Sequence, residues 1–448
     1  MAKSLRKTTL STLVAGLGQF ALNLGIGIIT ARMLGPHDRG IFALGAVLPH
    51  TVVALVKGGL AQASIYSIRR EKTDPGVVAF HVLVIGVFAS LLAIAVMYLF
   101  KGEAMSVLLK GAPLIVLLFS MFLVPFLIVE SYFFGVLQAI DQFRIFNRRR
   151  VLGSALTLIG MVLALIVFHG GLIAALLVNG ILIIFIDAWL VGTVHRLCRI
   201  RPVWNGPLMR RLLQFGIKSH LQSIATHLHF RADIYLVAGI LDPTQVAFYS
   251  IATRLAELLL FVPESLGFVI YPKQAGSSVD EMQELTARSC RHVLFTTACA
   301  GLALVLIGPR LVVAWYGRVY APGGPPLYYL TPAVIMMSLF FMLSRNFTSQ
   351  NRQGINMLAS GVALGCNVLF NLFLIPRMGI SGAGLASLLS YTLATLILGL
   401  VYLRESGKSV REVFIIQWAD LRVYQRIIDD ALGRRPAAGA AVRTTAEG

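Results

Sequence analysis

Residues 31–45 read ARMLGPHDRGIFALG, and residues 238–252 read AGILDPTQVAFYSIA. Each stretch has the pattern of a helix end, a tight turn with a proline, and the start of the next helix. Aligning Pro36 with Pro243, a shift of 207 residues, also aligns Ala31 with Ala238, Leu34 with Leu241, Phe42 with Tyr249 and Leu44 with Ile251. A weaker echo relates Gly170–Gly171 to MGISGAG at 378–384. Two matches in the same order predict an internal duplication into halves of similar topology.

The composition around this repeat is typical of a membrane protein. Hydrophobic residues make up 57% of the chain and charged residues 13%, whereas soluble domains carry about 25% charged residues. Many runs reach the roughly 20 apolar residues that a helix needs to cross a bilayer. We predict an all-α polytopic membrane protein with about 12 transmembrane helices in two six-helix lobes around a central cavity. The predicted spans are 9–31, 40–67, 76–100, 113–139, 151–168, 171–194, 208–240, 244–271, 292–308, 326–344, 355–375 and 380–403.

The duplication divides the chain into domains. We predict an N-terminal lobe at 1–194, a cytoplasmic connection at 195–207, a C-terminal lobe at 208–403 and a cytoplasmic tail at 404–448. The basic start MAKSLRK precedes an apolar run without a cleavage site, which predicts a retained first span. In the tail, apolar residues recur at helical spacing, which predicts an amphipathic helix on the membrane surface followed by a disordered end. These residues are Phe414, Trp418, Leu421, Tyr424, Ile428 and Leu432.

Positive charge sets the predicted orientation. The N-terminus and alternate connections hold 20 Lys and Arg, and the opposite connections hold seven. Because cytoplasmic loops carry the excess of Lys and Arg, both termini are predicted to be cytoplasmic. The net charge of +19 is spread in short clusters between spans rather than along one face, which argues against nucleic acid as a partner.

Motifs for catalysis or cofactor binding do not occur in the sequence. The four cysteines are Cys198, Cys290, Cys299 and Cys366, and none forms a CxxC pair. A P-loop, a nucleophile elbow, a metal signature and a dinucleotide fingerprint are also missing. The sequence therefore predicts no metal, no cofactor, no ATP motor on the chain and no enzyme activity.

Apart from Arg210 and Arg211 at the start of the seventh span, four basic residues lie inside predicted spans: Lys57, Lys218, Arg231 and Arg254. A charge at the bilayer centre costs about 2.5–3.5 kcal/mol on insertion scales, so such residues face protein or water and usually have a function. Four cations in one bundle predict a path for an anionic substrate, and we predict that these four residues bind it.

The seventh span is the most polar, and its polar residues form two groups. At 100° per residue, Lys218, Gln222, His229 and Asp233 share one side, and His220, His227 and Arg231 share the opposite side. A helix with two polar sides cannot turn either of them to lipid. We expect one side to line a cavity and the other to pack against a neighbour.

Five acids lie within the predicted spans: Glu130, Asp187, Asp233, Glu257 and Glu264. Depth along the helices predicts Arg231–Glu257 and Asp233–Arg254 ion pairs, which could serve only to fix helix packing. The repeat places Lys57 opposite Glu264, so these two could meet across the cavity. Glu130 and Asp187 could bind a coupling proton or Na⁺, or could equally be hydrogen-bonded between helices.

The stretch TARMLGPHDRGIFALG, followed by KGGLAQASIYSIRR, resembles the bacterial polysaccharide (O-antigen-type) flippases of the multidrug/oligosaccharidyl-lipid/polysaccharide exporter superfamily. So do FRADIYLVAGILDPTQVAFYSIATRLAEL with its continuation VIYPKQA, and the late IPRMGISGAGLASLLSYTL. The resemblance covers residues 5–403, and its motifs are turns and packing rather than chemistry.

The resemblance implies two six-helix lobes around a V-shaped cationic cavity that opens to each side in turn. It implies as substrate a polyprenyl-pyrophosphate-linked oligosaccharide moved across the bacterial inner membrane for O-antigen, lipopolysaccharide or exopolysaccharide synthesis. Implied partners are this lipid-linked glycan, membrane lipids and other glycan-assembly proteins. Lipid II flippases are similar but have two additional spans.

Two other functions remain open from the sequence. A multidrug-type antiporter of the same superfamily exports organic cations, and the five intramembrane acids do not exclude it. A membrane polymerase or ligase that acts on lipid-linked glycans would carry a large outer loop, and the short loops here argue against it.

Overall fold

The computed structural model describes residues 2–261, 263, 264, 266, 278–350, 352–418, 420 and 421, with side chains from Val14 onward except those of Lys218, Ser219 and Gln222. The described part is helical and contains no strand. Its main helices are α1 (Ala2–Val56), α2 (Leu60–Arg69), α3 (Pro75–Leu99), α4 (Leu114–Ala139), α5 (Phe143–Met161), α6 (Gly171–Cys198), α7 (Gly206–Ile240), α8 (Pro243–Ala256), α9 (Val279–Tyr316), α10 (Leu327–Ser349), α11 (Gln353–Met378), α12 (Ile380–Ser406) and α13 (Val410–Phe414). The all-α fold predicted from the sequence is confirmed.

Side-chain caps explain where several helices begin. Asp74 accepts a hydrogen bond from the amide of Gly76 at the start of α3, at 2.7 Å. Asn205 caps α7 through the amide of Leu208 at 2.9 Å, and Asp242 caps α8 through Gln245 at 3.1 Å. These caps satisfy backbone donors that would otherwise be left without partners in a membrane.

The two spans predicted at 9–31 and 40–67 are two helices that meet at the predicted turn beside Pro36. Gly35, with φ 73° and ψ 170°, leaves the helical conformation there, so α1 consists of two helices joined at a sharp kink. The second span then breaks after Val56, where Gly58 and Gly59 both adopt left-handed backbone angles, and resumes as α2. Lys57 therefore lies at a helix break and not in a continuous helix.

Nine helices of the described part are long and apolar enough to cross a membrane, and the kinked α1 counts among them once. The polar α7 and the short α8 are not among these nine, although their order in the chain continues the alternation. The predicted number of about 12 spans remains a prediction. Two helices begin earlier than predicted: α5 takes in residues 143–150, and α9 takes in residues 279–291.

Helices α1–α6 pack mainly on one another, as do α7–α12. We name the end of the bundle that carries the Gly35 kink and the α7–α8 turn the distal end, and the end with Ala2 the proximal end. The two repeated turns touch at the distal end. A Cβ built on Gly40 would lie 1.7 Å from the carbonyl oxygen of Pro243, so only glycine permits this contact. The repeated sequence stretches thus form the junction between the two groups.

The start of the tail docks on the second group. Val413 in α13 is buried, and Arg291 of α9 donates from Nε to Oδ2 of Asp420 at 2.6 Å. Trp418, by contrast, is 87% exposed. The rest of the predicted amphipathic helix and the predicted disordered end lie outside the described residues.

Candidate functional site between the lobes

The distal end is closed by hydrogen bonds between the two groups of helices. Arg32 donates to the carbonyls of Ala314 and Trp315, both at 2.7 Å. Lys110 donates to the carbonyl of Gly239 at 2.7 Å, and the Tyr320 hydroxyl donates to the carbonyl of Ala31 at 2.7 Å. These contacts hold the two groups of helices together at the distal end.

Helix α7 uses two histidines to contact the second half of α1. His227 Nε2 lies 3.0 Å from the hydroxyl of Thr51, and His220 Nε2 lies 2.8 Å from the carbonyl of Leu55. The opposite side of α7 packs inward, since His229 and Asp233 are buried and the His229 ring meets Tyr391 at 4.8 Å. The two polar sides of α7 thus face the first group and the interior of the second.

A cationic cluster lies where α1 and α7 meet. His227 has Arg231, Lys57 and His50 as its charged or titratable neighbours. Arg231 forms the predicted ion pair with Glu257, at 3.1 Å. Lys57 makes no ion pair with any described residue. The cluster therefore carries at least one cation that no acid of the described ranges neutralises.

The predicted Asp233–Arg254 pair is not formed. The Asp233 carboxylate instead accepts hydrogen bonds from the Tyr249 hydroxyl and from Ser387, the latter at 3.2 Å. Arg254 is exposed, and it is a charged neighbour of another cation, Arg39. The prediction failed because two hydroxyl donors inside the second lobe occupy the Asp233 oxygens.

Arg39 falls in the predicted connection between residues 31 and 40, but it lies in the second helical part of α1, after the kink at Gly35. Its guanidinium lies over the Phe42 ring, 5.6 Å from the ring centre, and its buried Nε makes no hydrogen bond. Arg39 and Arg254 therefore add two further cations without acid partners among the described residues.

The predicted meeting of Lys57 with Glu264 is also not formed. The charged neighbours of Glu264 are Arg345, Arg150 and Glu257. The helix break after Val56 redirects the chain at Lys57, so the repeat alignment does not carry over to this side chain. The side chain of Lys218 lies outside the described residues.

The residue that sequence reasoning missed is Arg149. It was counted as a loop charge, but it lies in α5 with 11% of its side chain exposed. Its Nη1 donates to Glu130, and its Nη2 donates to Asp187 at 2.5 Å. Glu130 and Asp187 are therefore hydrogen-bonded between helices, with one arginine bridging both, and their role in ion coupling stays a prediction.

A signal for Arg149 is present in the sequence. The stretch FRIFNRRRVLGSALTLIG, residues 143–160, contains no proline, and its only glycines follow the arginines. Nothing in it stops a helix from running through residues 148–150 into the apolar part. A span that is predicted to start at the first apolar residue, Val151, leaves Arg149 in the preceding connection.

Three comparisons relate the chain to known proteins. The family described as "Polysaccharide biosynthesis protein" matches residues 29–323. A probable low-salt glycan biosynthesis flippase of Haloferax volcanii is 22% identical over 192 residues, which cover 42% of this chain and 41% of that protein. The match thus spans about two fifths of that relative's length.

Solved structures share the fold. The lipid II flippase MurJ, in an inward closed conformation, superimposes with a TM-score of 0.76 at 13% identity, over 95% of this chain and 93% of that one. An inward-facing multidrug resistance MATE family transporter of the MOP superfamily gives a TM-score of 0.67 at 14% identity, over 89% and 98%. Both likenesses show the two-lobed fold that the repeat predicted. The family match shows that this multi-pass membrane protein belongs to the polysaccharide biosynthesis protein family.

Proposed function

We propose that the protein flips a polyprenyl-pyrophosphate-linked oligosaccharide across the membrane by alternating access. The observation that carries the proposal is the set of cations between the lobes that have no acid partner among the described residues. These are Lys57, Arg39 and Arg254. A pyrophosphate needs such groups because Lys and Arg replace part of the hydration that it loses inside the protein.

The charges also weigh against export of an organic cation. Of the five acids in the spans, Glu130 and Asp187 are bridged by Arg149, and Glu257 is paired with Arg231. Asp233 is buried among hydroxyl donors. Four of the five acids are thus already engaged, so a cavity that attracts cations has little support.

Alternating access fits the asymmetry of the lobe contacts. The distal end is held by Arg32, Lys110 and Tyr320. Opening that end means breaking these hydrogen bonds and separating the turns at Gly40 and Pro243. Substrate would enter from the proximal end, bind at the cations, and leave when the distal contacts open and the proximal ends close.

The proposal includes topology and setting. The lobes correspond to residues 1–194 and 208–403, the connection 195–207 and the tail 404–448 are cytoplasmic, and the proximal end faces the cytoplasm of a bacterium. The protein works as a transporter and not as an enzyme, within O-antigen, lipopolysaccharide or exopolysaccharide synthesis. Its partners are the lipid-linked glycan, membrane lipids and other glycan-assembly proteins. Asp187, Glu130 and Asp233 are the acids through which an ion gradient would act.

Neutralising Lys57 and Arg254, together with the sequence-predicted site residue Lys218, tests the proposal. We expect Lys57→Ala, Lys218→Ala and Arg254→Ala each to abolish surface glycan while the protein stays in the membrane. The measurement is glycan display in a flippase-deficient strain at matched protein levels.

Two variants serve as controls for loss of a positive charge alone. Lys101 and Arg310 are exposed, and Lys101 only covers the Tyr98 ring at 4.2 Å. Lys101→Ala and Arg310→Ala should therefore display normal glycan. Normal glycan from all three cavity variants would refute the role of the cations.

A further inference from the structure

A cavity lies inside the first lobe, beside the cationic cluster. Its volume is about 290 Å³, close to the lower end of the range of about 300–1,000 Å³ that ligand pockets occupy. The walls come from α1, α4, α5 and α6, and they include Phe42 and His50. His50 also has Lys57 and Arg231 of the cationic cluster among its neighbours. The cavity and the cluster therefore adjoin at His50.

The cavity wall is rich in neutral polar side chains that have no partner. Such side chains are Gln19, Asn23, Thr157 and Asn179. None of the four makes a hydrogen bond to a described residue, and each is only half-buried, so it opens on the cavity. Each amide offers both donors and an acceptor, and the threonine hydroxyl offers both as well. In a membrane protein such groups are costly unless something satisfies them.

The formal charges around the cavity cancel. Arg149, Arg150 and Glu130 line the wall, and Arg149 also pairs with Asp187 behind it, so two cations face two acids. A wall without excess charge suits neither an inorganic cation nor a phosphate. It suits a neutral solute that both donates and accepts hydrogen bonds at many points.

We propose that this cavity, lined by Gln19, Asn23, Thr157 and Asn179, binds a sugar unit of the substrate, while the adjoining cations bind the pyrophosphate. The inference rests on the proposed function, because it divides one substrate between two neighbouring sites. Sugar hydroxyls match the mixed donors and acceptors of the wall, and the volume admits one sugar unit rather than a long chain. The cavity therefore selects the sugar next to the pyrophosphate.

A comparison of the binding of two lipids distinguishes the sugar site from the pyrophosphate site. The probes are undecaprenyl pyrophosphate without sugar and the same lipid carrying one N-acetylhexosamine, titrated into the purified full chain. The wild type should bind the sugar-bearing lipid about tenfold more tightly, as expected for one or two net hydrogen bonds. Gln19→Leu and Asn179→Leu should each bring the two affinities to within about twofold.

The controls distinguish a lost sugar site from a lost fold. Thr157→Val removes the hydroxyl at almost constant shape and should reduce the preference severalfold without lowering the melting temperature. Gln353 is exposed outside the cavity, so Gln353→Leu should keep the full tenfold preference. If the wild type binds both lipids equally, or if all three cavity variants keep the preference, the sugar site is refuted.

Failure of the proposed function gives a different result. If the wild type binds neither lipid, or if Lys57→Ala leaves the affinity for the bare lipid unchanged, the pyrophosphate site itself is wrong. A third outcome also overturns the sugar site: a bare-lipid affinity that depends on Na⁺ in the wild type and loses that dependence in Gln19→Leu and Asn179→Leu would make the cavity an ion site.

Discussion

Arg149 joins three helices through two carboxylates. Its guanidinium presents donors in a fixed fork, which allows Nη1 and Nη2 to meet Glu130 of α4 and Asp187 of α6 at once. Only 2% of the Asp187 side chain is exposed, so water cannot replace the arginine there. The ionisation state of each of the three residues therefore depends on the other two.

Removing this arginine alone should be severe. Arg149→Met leaves two carboxylates buried close together, and breaking a buried pair in this way costs about 3–5 kcal/mol of unfolding free energy. Arg149→Lys should recover only part, because one ammonium cannot form the same fork. Thermal unfolding of the purified protein in detergent measures the loss.

A triple variant that removes all three charges provides the control for Arg149. Combining Arg149→Gln with Glu130→Gln and Asp187→Asn removes every charge of the group together, and stability should return to near the wild type. A triple variant as unstable as Arg149→Met would contradict a purely electrostatic origin. If the stable triple variant also flips glycan, the three charges have no part in ion coupling.

Among the helices, the second half of α1 lies in close contact with the first residue of α8 at Gly40. Any larger residue must push the α8 turn away, since the added Cβ would overlap the Pro243 carbonyl. We expect Gly40→Ala to separate the distal ends and to shift the population toward the state that is open there. Distances between spin labels on the two lobes at the distal end measure this shift.

Gly18→Ala is the matched control for Gly40. It lies in the same helix, and nothing lies within 4 Å of its added Cβ. The control should leave the label distances unchanged and stabilise the helix slightly, because alanine favours helix more than glycine does. Unchanged distances in Gly40→Ala would mean that the turn yields without opening the end.

The tail segment should respond to pH through Asp420. Burial raises the pKa of this carboxyl, but the hydrogen bonds from Arg291 and the Gln417 amide outweigh it and hold the pKa below the ordinary 3.8. A lowered pKa stabilises the docked tail at every pH above 3.8, and this stability disappears as the pH falls through the lowered value. The protection factors of residues 410–418 against hydrogen exchange, which correct for the intrinsic pH dependence, should therefore fall only in strong acid.

A variant tests whether the charge of Asp420 stabilises the docked tail. Asp420→Asn removes the charge, so low protection factors for residues 410–418 should appear already at pH 7 and should not fall further in acid. Lys408 provides a comparison, because it pairs with the exposed Glu284 at 2.6 Å. Breaking that surface pair by Lys408→Ala should alter the exchange far less. Equal exchange in Asp420→Asn and the wild type would show that other contacts hold the tail.

Most helices could be predicted from the sequence, and their ends less well. The spans at 355–375 and 380–403 lie inside α11 and α12, since apolar length and the Gly379 turn mark both ends. The break at Lys57–Gly59 was missed because two glycines in an apolar run carry no charge signal. The early start of α5 was missed because three arginines were read as a loop.

At the scale of the whole molecule, the repeat predicted two lobes, and the fold shared with MurJ confirms them. The candidate site was predicted in part. Arg231–Glu257 follows from equal depth along two connected helices, whereas Asp233–Arg254 fails because Tyr249 and Ser387 approach from other faces of the second lobe. Depth along a helix can be read from one sequence, but the rotation of each helix about its axis depends on packing.

The distal contacts between the lobes share a chemical feature with a genetic consequence. Arg32, Lys110 and Tyr320 all donate to backbone carbonyls of the opposite lobe. A carbonyl is present whatever the side chain at that position, so substitution of Ala314, Trp315 or Gly239 leaves the acceptor in place. Mutation of an acceptor residue therefore leaves the hydrogen bonds of the closed distal end intact. Inherited changes in the stability of this closed end are expected mainly at the three donor positions.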